Sequence, residues 1–334
     1  MNNNTFLIIT SIAAPNAVLK DCAERAQKNG VDFVVMGDTK SPATFELDGC
    51  DFWNLDRQLT LPFQLVPNLP TRHYGRKNLG YLVAMQQGAE IILETDDDNY
   101  PLPPFWEARN RQQSAHRLTR TGWTNVYKYF TNKYIWPRGY ALEHLHDPLP
   151  ALPALSAVDC PIQQGLANEN PDVDAIYRLT LPLPFSFDER ESVALGEGAW
   201  CAFNSQNTTW FAEAFPLLYL PSHCSFRMTD IWRSYVAQRL AWTCGWSILF
   251  HNATVWQERN EHNLMRDFEE EVSGYTQNKQ ICADLAALDL PHGREHLHNN
   301  LLACYRLLTE KNYVGKAEIP LVEAWVADLR QLGF

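Results

Sequence analysis

The stretch IILETDDDNYP, Ile91 to Pro101, decides how this chain is read. Its first part, Ile91-Ile92-Leu93, is a short apolar run of the kind that forms a buried strand. Its second part sets three carboxylates side by side, Asp96, Asp97 and Asp98, ahead of the turn formers Asn99 and Pro101. On the N-terminal side, a helix from about Tyr74 to Gln87 closes at Gly88, behind a loop rich in Pro and Asp. Before that loop, the apolar run Val31–Met36 ends at Gly37-Asp38. A helix over Val18–Lys28 terminates at Gly30, and a first strand, Phe6–Ile9, ends at Thr10-Ser11. Strands separated by helices predict β-α-β units, hence an α/β fold with a mixed, largely parallel central sheet flanked by helices. Ligands of such sheets gather beyond the carboxyl ends of the strands. Thr10-Ser11, Asp38 and the triple Asp all fall at such ends and are therefore read together.

Downstream the pattern is looser. The Pro-rich stretches PLPPF, DPLPALPAL and LPLPF, between Pro101 and Phe187, predict long loops and short edge strands. Regularity returns at Met228, where Ile231, Trp232, Tyr235, Val236 and Leu240 recur at helical spacing. Trp246–Phe250 predicts a further buried strand ending at His251-Asn252. After Glu258 the chain is charged and helical, with amphipathic faces marked by Leu285, Leu301, Leu308, Trp325 and Leu329.

Composition narrows the class. The 334 residues carry 28 basic and 39 acidic side chains, a net charge of −11 that opposes a nucleic-acid partner held by its phosphates. An acidic chain that handles phosphates needs a cation to bridge the like charges. Aromatic residues make up 12%, including 11 Trp, and such side chains demand a core rather than disorder. Eight Cys are scattered without a C-x-x-C pair, so neither a zinc finger nor a disulfide framework is expected. No basic leader opens the sequence, and nowhere do roughly 18 uncharged apolar residues run together. The expectation is a cytoplasmic protein, at most peripheral to a membrane.

The acidic loop carries the chemistry. Mg²⁺ or Mn²⁺ is held by one or two carboxylates while substrate phosphates complete its shell, and the ion then stabilises a departing diphosphate. This is the physical content of the D-x-D element of sugar-nucleotide glycosyltransferases; the alternative is a solvated acidic turn. Tyr74-Gly75-Arg76-Lys77-Asn78 opens a helix, where free N–H groups and the helix dipole favour a phosphate that Arg76 or Lys77 contacts. Asp38 either accepts from a base or ribose hydroxyl or caps a turn with Gly37. Thr10 and Ser11 either meet a nucleoside or cap the strand end.

YGRKNLGYLVAMQQGAEIILETDDDNYP, NPDVDAIYRLT, FNSQNTTWF and MTDIWRSYVAQRLAW, taken in order, resemble the STELLO family of glycosyltransferases. More distantly they resemble the reversibly glycosylated polypeptides, which are UDP-arabinopyranose mutases. The likeness runs from about Phe6 to Phe268. It implies a GT-A-like domain over 1–265, with a nucleotide-binding half at 1–100 and an acceptor half at 101–265. Residues 266–334 remain as a helical extension that packs on this domain or builds a homo-oligomer. The likeness further implies a divalent metal, Mn²⁺ or Mg²⁺, and a nucleoside-diphosphate sugar, with a UDP-sugar expected; a glycan or lipid-linked acceptor in bacterial surface polysaccharide synthesis is an expectation drawn from the absent anchor and Golgi signal. Carried over by position, Asp96, Asp97 and Asp98 match the metal- and nucleotide-binding triple Asp; Thr10, Ser11, Asp38, Arg76, Lys77 and Asn78 are the further nucleotide-sugar candidates, read from their place at strand and helix ends. Asp96 and Asp98 are the expected metal ligands; His251 is either the third ligand or a strand-end His bonded to backbone, and His262 competes for that place. Asp230, at a helix start, resembles a general base or is a helix cap. Asn204 is a candidate hydrogen-bonder for sugar or acceptor, and Trp232 either forms an apolar sugar platform or joins the core, the commoner outcome for such a side chain. Asp172 and Asp174 share the mutase-like spacing, although a turn after Pro171 accounts for them equally. A nucleotide-sugar mutase and a catalytically silent sugar-nucleotide scaffold are the rival functions.

Overall fold

The computed structural model describes residues 4–258 and 263–334. The first half contains β1 (Thr5–Thr10), α1 (Ala17–Asn29), β2 (Asp32–Met36), β3 (Asp51–Trp53), α2 (Leu55–Gln58), α3 (Lys77–Gln86), β4 (Ile91–Thr95), β5 (Asn99–Pro101), β6 (Gln112–Leu118), β7 (Gly122–Trp123) and β8 (Leu155–Asp159). The second half contains β9 (Ile162–Asn168), α4 (Ala175–Thr180), β10 (Val193–Leu195), β11 (Ala199–Trp200), β12 (Asn207–Phe211), α5 (Thr229–Thr243), β13 (Ile248–Gln257), α6 (Leu264–Ala286), α7 (Leu297–Glu310) and α8 (Glu318–Leu332).

β1 shows why an unbroken apolar run forms a central strand. Side chains alternate across a strand, so Phe6 and Ile8 enter one hydrophobic cluster while Leu7 and Ile9 enter another on the opposite face. Helix α3 covers the first face through Leu79, Leu82 and Val83; α1 covers the second through Leu19, Cys22 and Ala26. Gly30 ends α1 in the left-handed conformation, φ 68°, with its N–H on the carbonyls of Ala26 and Gln27.

The sheet runs β3-β2-β1-β4-β12-β9-β13-β10-β6-β8, with β5 added on β13. β3, β2, β1 and β4 are mutually parallel, as the β-α-β reading expects. β12 then pairs antiparallel with both β4 and β9, and the remainder is mixed. The architecture is the mixed α/β arrangement expected, with the run of parallel strands β3-β2-β1-β4 in the N-terminal half.

Two elements depart from expectation. β13 does not stop at His251: it continues to Gln257 through an irregularity between His251 and Val255. β5 pairs with this extension, Asn99 opposite Gln257, which draws the acidic loop to the far end of β13. The C-terminal helices share one core with the sheet, since Ile281, Leu301, Leu308, Leu321 and Trp325 lie in the cluster that holds Leu79 and Val83. Residue 265 marks a change of secondary structure within one packed body. No helix among the described residues is long and apolar enough to cross a membrane.

Candidate functional site

β1, β2 and β4 end side by side, Thr10 opposite Met36 and Ile8 opposite Glu94, so the chain beyond each opens into one space. That space is a cleft of about 490 Å³, in the size range of small-ligand sites. Thr10, Ser11, Asp38 and the three aspartates line it from the N-terminal half; Arg138, Asp172 and Asp230 line it from the other.

Each aspartate of the acidic loop is held by different partners. Asp96 accepts from the Tyr74 hydroxyl at 2.7 Å and lies 3.5 Å from Lys77 Nζ, with its side chain still 31% exposed. Burial, assisted by Asp98, pushes its carboxyl up to about 7 despite Lys77. Asp97 accepts from Ser11 Oγ at 2.5 Å, its carbonyl accepts from Asn16 Nδ2 at 2.8 Å, and burial raises it as well. Asp98 accepts from Gln257 Nε2 at 3.0 Å, and its carbonyl receives the N–H of Glu258.

Lys77 is fully buried and donates to Tyr74 Oη at 2.7 Å and to the Thr95 carbonyl at 2.9 Å, bracing the loop from behind. Arg76 borders the cleft, but Nε is taken by Gln58 at 2.7 Å and Nη1 by the Leu69 carbonyl at 3.2 Å. Its charge reaches the cleft while these donors face the protein. Asn78 is a correction: it bonds the carbonyl and N–H of Leu220, both at 2.8 Å, and lies away from the cleft. A helix start exposes only its first N–H groups, and the third side chain has turned into the core. Asp38 accepts from the N–H groups of Thr39 at 2.6 Å and His73 at 3.1 Å, so it organises two loops where it lines the cleft.

The opposite wall corrects more. Asp230 stands in the first turn of α5, both oxygens 3.0 Å from the Arg138 guanidinium, with Ser205 N–H at 3.2 Å. Burial alone would raise its carboxyl; Arg138 overrides this and holds it down at about 2. So weak a base takes a hydroxyl proton poorly, and the general-base role does not suit this geometry. Arg138 also grips Asp172 at 2.8 and 2.9 Å, making an Asp172–Arg138–Asp230 bridge. Asp174 instead caps α4, accepting from the Tyr177 N–H. Trp232 is 1% exposed, with Nε1 on Asn278 at 2.9 Å, because α5 is buried on every side; it is a core residue and offers no acceptor platform. Asn204 is buried and shapes its own turn, its Oδ1 accepting from Gln206 N–H, and it does not reach the cleft.

His251 is the clearest correction. It sits mid-strand opposite Gly165, away from the cleft, where burial and the neighbouring Arg109 push its imidazole down to about 3. The residue that meets Asp98 is Gln257, six positions on. His262 lies outside the described residues. Among the described residues no cluster of three or more His, Cys, Asp or Glu is poised around a metal. Asp96 and Asp98 offer carboxylate oxygens, the donors that suit Mg²⁺ or Mn²⁺ when water and phosphate supply the rest.

Arg138, Tyr74 and Gln257 had no sequence signal of their own. Arg138 lies in an aperiodic loop, marked only by Gly139, whose φ of 86° and 2.4 Å approach of a built Cβ to Ile231 exclude a side chain. Six cations line the cleft, Lys40, Arg72, Arg76, Arg138, Arg178 and Arg227, against six aspartates. The cleft is thus locally balanced within a chain of charge −11, and an anion entering it is not repelled as the chain's charge alone would suggest.

Residues 227–334 match the family model described as STELLO glycosyltransferases. The chain is 27% identical over 328 residues to "Probable glycosyltransferase STELLO2" of Arabidopsis thaliana, and 27% identical over 333 residues to "Probable glycosyltransferase STELLO1" of the same plant. Each match covers 91% of this chain, which spans 42% of the length of either relative. Among solved structures, "Crystal Structure of a Mycobacterial Protein" aligns with a TM-score of 0.45 at 10% identity, over 84% of this chain and 76% of that one. The M. tuberculosis glucosyl-3-phosphoglycerate synthase aligns at 0.41 and 11% identity, over 84% and 81%. The chain is thus similar in sequence to the STELLO glycosyltransferases along nearly its whole length.

Proposed function

We propose that this chain is a metal-dependent glycosyltransferase domain that takes a sugar from a nucleoside-diphosphate donor, in the first instance a UDP-sugar, to a hydroxyl of a glycan or lipid-linked acceptor. The observation that carries the reading is the acidic loop at the mouth of parallel strands, where Asp96, Asp97 and Asp98 line one cleft with Thr10, Ser11 and Asp38. Carboxylates crowded at the entrance to such a cleft call for added positive charge, and their oxygens match Mn²⁺ or Mg²⁺. Asp96 and Asp98 would hold the ion, which would supply Lewis-acid stabilisation of the departing diphosphate. Thr10, Ser11 and Asp38 receive the nucleoside, and Lys77 and Tyr74 keep Asp96 aimed at the cleft. Asp230 acts through Arg138, fixing the guanidinium on the acceptor side. The likeness to the probable glycosyltransferases STELLO1 and STELLO2 supports the reaction class.

The test is calorimetry on the full chain with UDP, GDP and TDP, with and without Mn²⁺, followed by turnover with the corresponding sugars. Diphosphate binding that requires Mn²⁺ and falls more than about tenfold in Asp98→Ala is expected. Undiminished binding in Asp98→Ala removes the acidic loop from the mechanism. Ring-isomer products formed without acceptor would indicate a mutase, and tight binding without turnover a scaffold.

A further inference from the structure

Two half-exposed apolar side chains line the cleft: Ile12, 52% exposed, just after Ser11, and Phe226, 50% exposed, in the turn before α5. Single exposed apolar residues on an outer surface are ordinary. A ring fixed inside a charged cleft is different, because it leaves apolar area that only a ligand covers. Phe226 is fixed. Its ring meets His73 edge-on with centroids 5.9 Å apart and Tyr74 at 6.3 Å, both at 74°. Its flanks are tied to α6: Ser225 Oγ donates to the Glu270 carbonyl, and Arg227 bonds Glu271 Oε1 at 2.8 and 2.9 Å. These ties hold the backbone that carries the ring at the border of the cleft.

Its position follows from those neighbours. His73 N–H reaches Asp38 at the nucleoside end, and Tyr74 Oη reaches Asp96 at the diphosphate end. Arg138 donates to the carbonyl of Arg227, next to Phe226, and holds Asp230, which accepts from the N–H of Ser205, next to Gln206, so Phe226, Gln206 and Arg138 border one part of the cleft beside the acidic loop. Resting on the glycosyltransferase reading, we infer that Phe226 is the platform on which the donor sugar stacks. One face of a pyranose is lined by C–H bonds, whose slight positive charge suits the negative face of an aromatic ring. The hydroxyls then turn toward Arg138 and Gln206, and the site selects a neutral pyranose with an unbroken C–H face.

The experiment titrates UDP, UDP-glucose, UDP-galactose, GDP and GDP-mannose with Mn²⁺ into the full chain and into Phe226→Ala and Phe226→Tyr. In the wild type, one sugar nucleotide is expected to bind at least about fivefold more tightly than its parent diphosphate. Phe226→Ala should abolish that gain while leaving diphosphate affinity unchanged, and Phe226→Tyr should restore it. Equal weakening of diphosphate and sugar nucleotide in Phe226→Ala would place the ring against the base and overturn the inference. An unchanged sugar gain in Phe226→Ala, or no gain in the wild type, overturns it too. Failure of the wild type to bind any of the diphosphates instead refutes the reading of the cleft, and this inference falls with it.

Discussion

Asp96 and Asp230 line one cleft, yet their surroundings drive their proton affinities apart. Asp96, raised to about 7, keeps its proton in the folded chain across a range where the unfolded chain has lost it. Folded-state stability of the metal-free protein therefore falls as pH rises from about 4 to about 7 and stays low above that. Asp96→Asn removes this penalty. The metal-free variant should melt roughly 2–4 °C above wild type at pH 8, with the gap closing near pH 4, in a thermal scan. Asp230 has the opposite sign. Its carboxyl is held at about 2 by Arg138, so its contribution is present above about pH 4 and is lost as pH falls toward 2. Asp230→Asn should cost about 2–4 kcal/mol in urea unfolding at pH 7 and much less at pH 2.5. His251 supplies a contrast, since His251→Ala should leave Mn²⁺-dependent diphosphate affinity within about twofold of wild type; a loss like that of Asp98→Ala would restore it as a ligand.

Helix α8 reaches the cleft through two buried carboxylates. Glu318, at its start, accepts from Ser222 N–H at 2.9 Å and His223 N–H at 2.6 Å, and also from the Tyr219 hydroxyl. Those residues begin the segment that leads to Phe226 and Arg227. Asp328, three turns further on, accepts from Gln64 N–H at 2.7 Å and Leu65 N–H at 2.9 Å, in the loop whose Leu69 carbonyl receives Arg76. Removing either carboxylate leaves two backbone donors without acceptors. Glu318→Ala and Asp328→Ala should each destabilise by about 2–3 kcal/mol in urea unfolding. A neutral effect would mean that these loops are held by something other than α8. A further element effect is the length of β13: because the strand continues past its irregularity, its carboxyl end presents Gln257 rather than His251 to the acidic loop.

At the level of the whole molecule, α5 is buried along all of its residues, between the sheet on one side and the C-terminal helices on the other. A helix covered in this way has no stable exposed state, so sheet and helices should unfold together. Urea transitions followed by tryptophan fluorescence and by far-ultraviolet circular dichroism are expected to coincide. A chain ended at residue 263 should fail to give a soluble folded product, since the core side chains of α6, α7 and α8 are part of the same cluster. Two separated transitions would show that the helices form a unit of their own.

The alternation of strands and helices, and the place of Asp96–Asp98 at a strand end, were legible in the amino-acid order because both are local. Apolar periodicity reports which faces are buried, and consecutive carboxylates need no folding to become neighbours. The opposite wall was not legible. Arg138 meets Asp172 and Asp230 from 34 and 92 residues away, and only packing chooses which charges pair across such loops. The same reason moved Trp232 from platform to core: helical spacing marks its apolar face, but only the layers on both sides of α5 bury the rest. Tertiary structure also turned Asp230 from a candidate base into the anchor of a guanidinium, because a carboxylate's proton affinity depends on the charges folded against it.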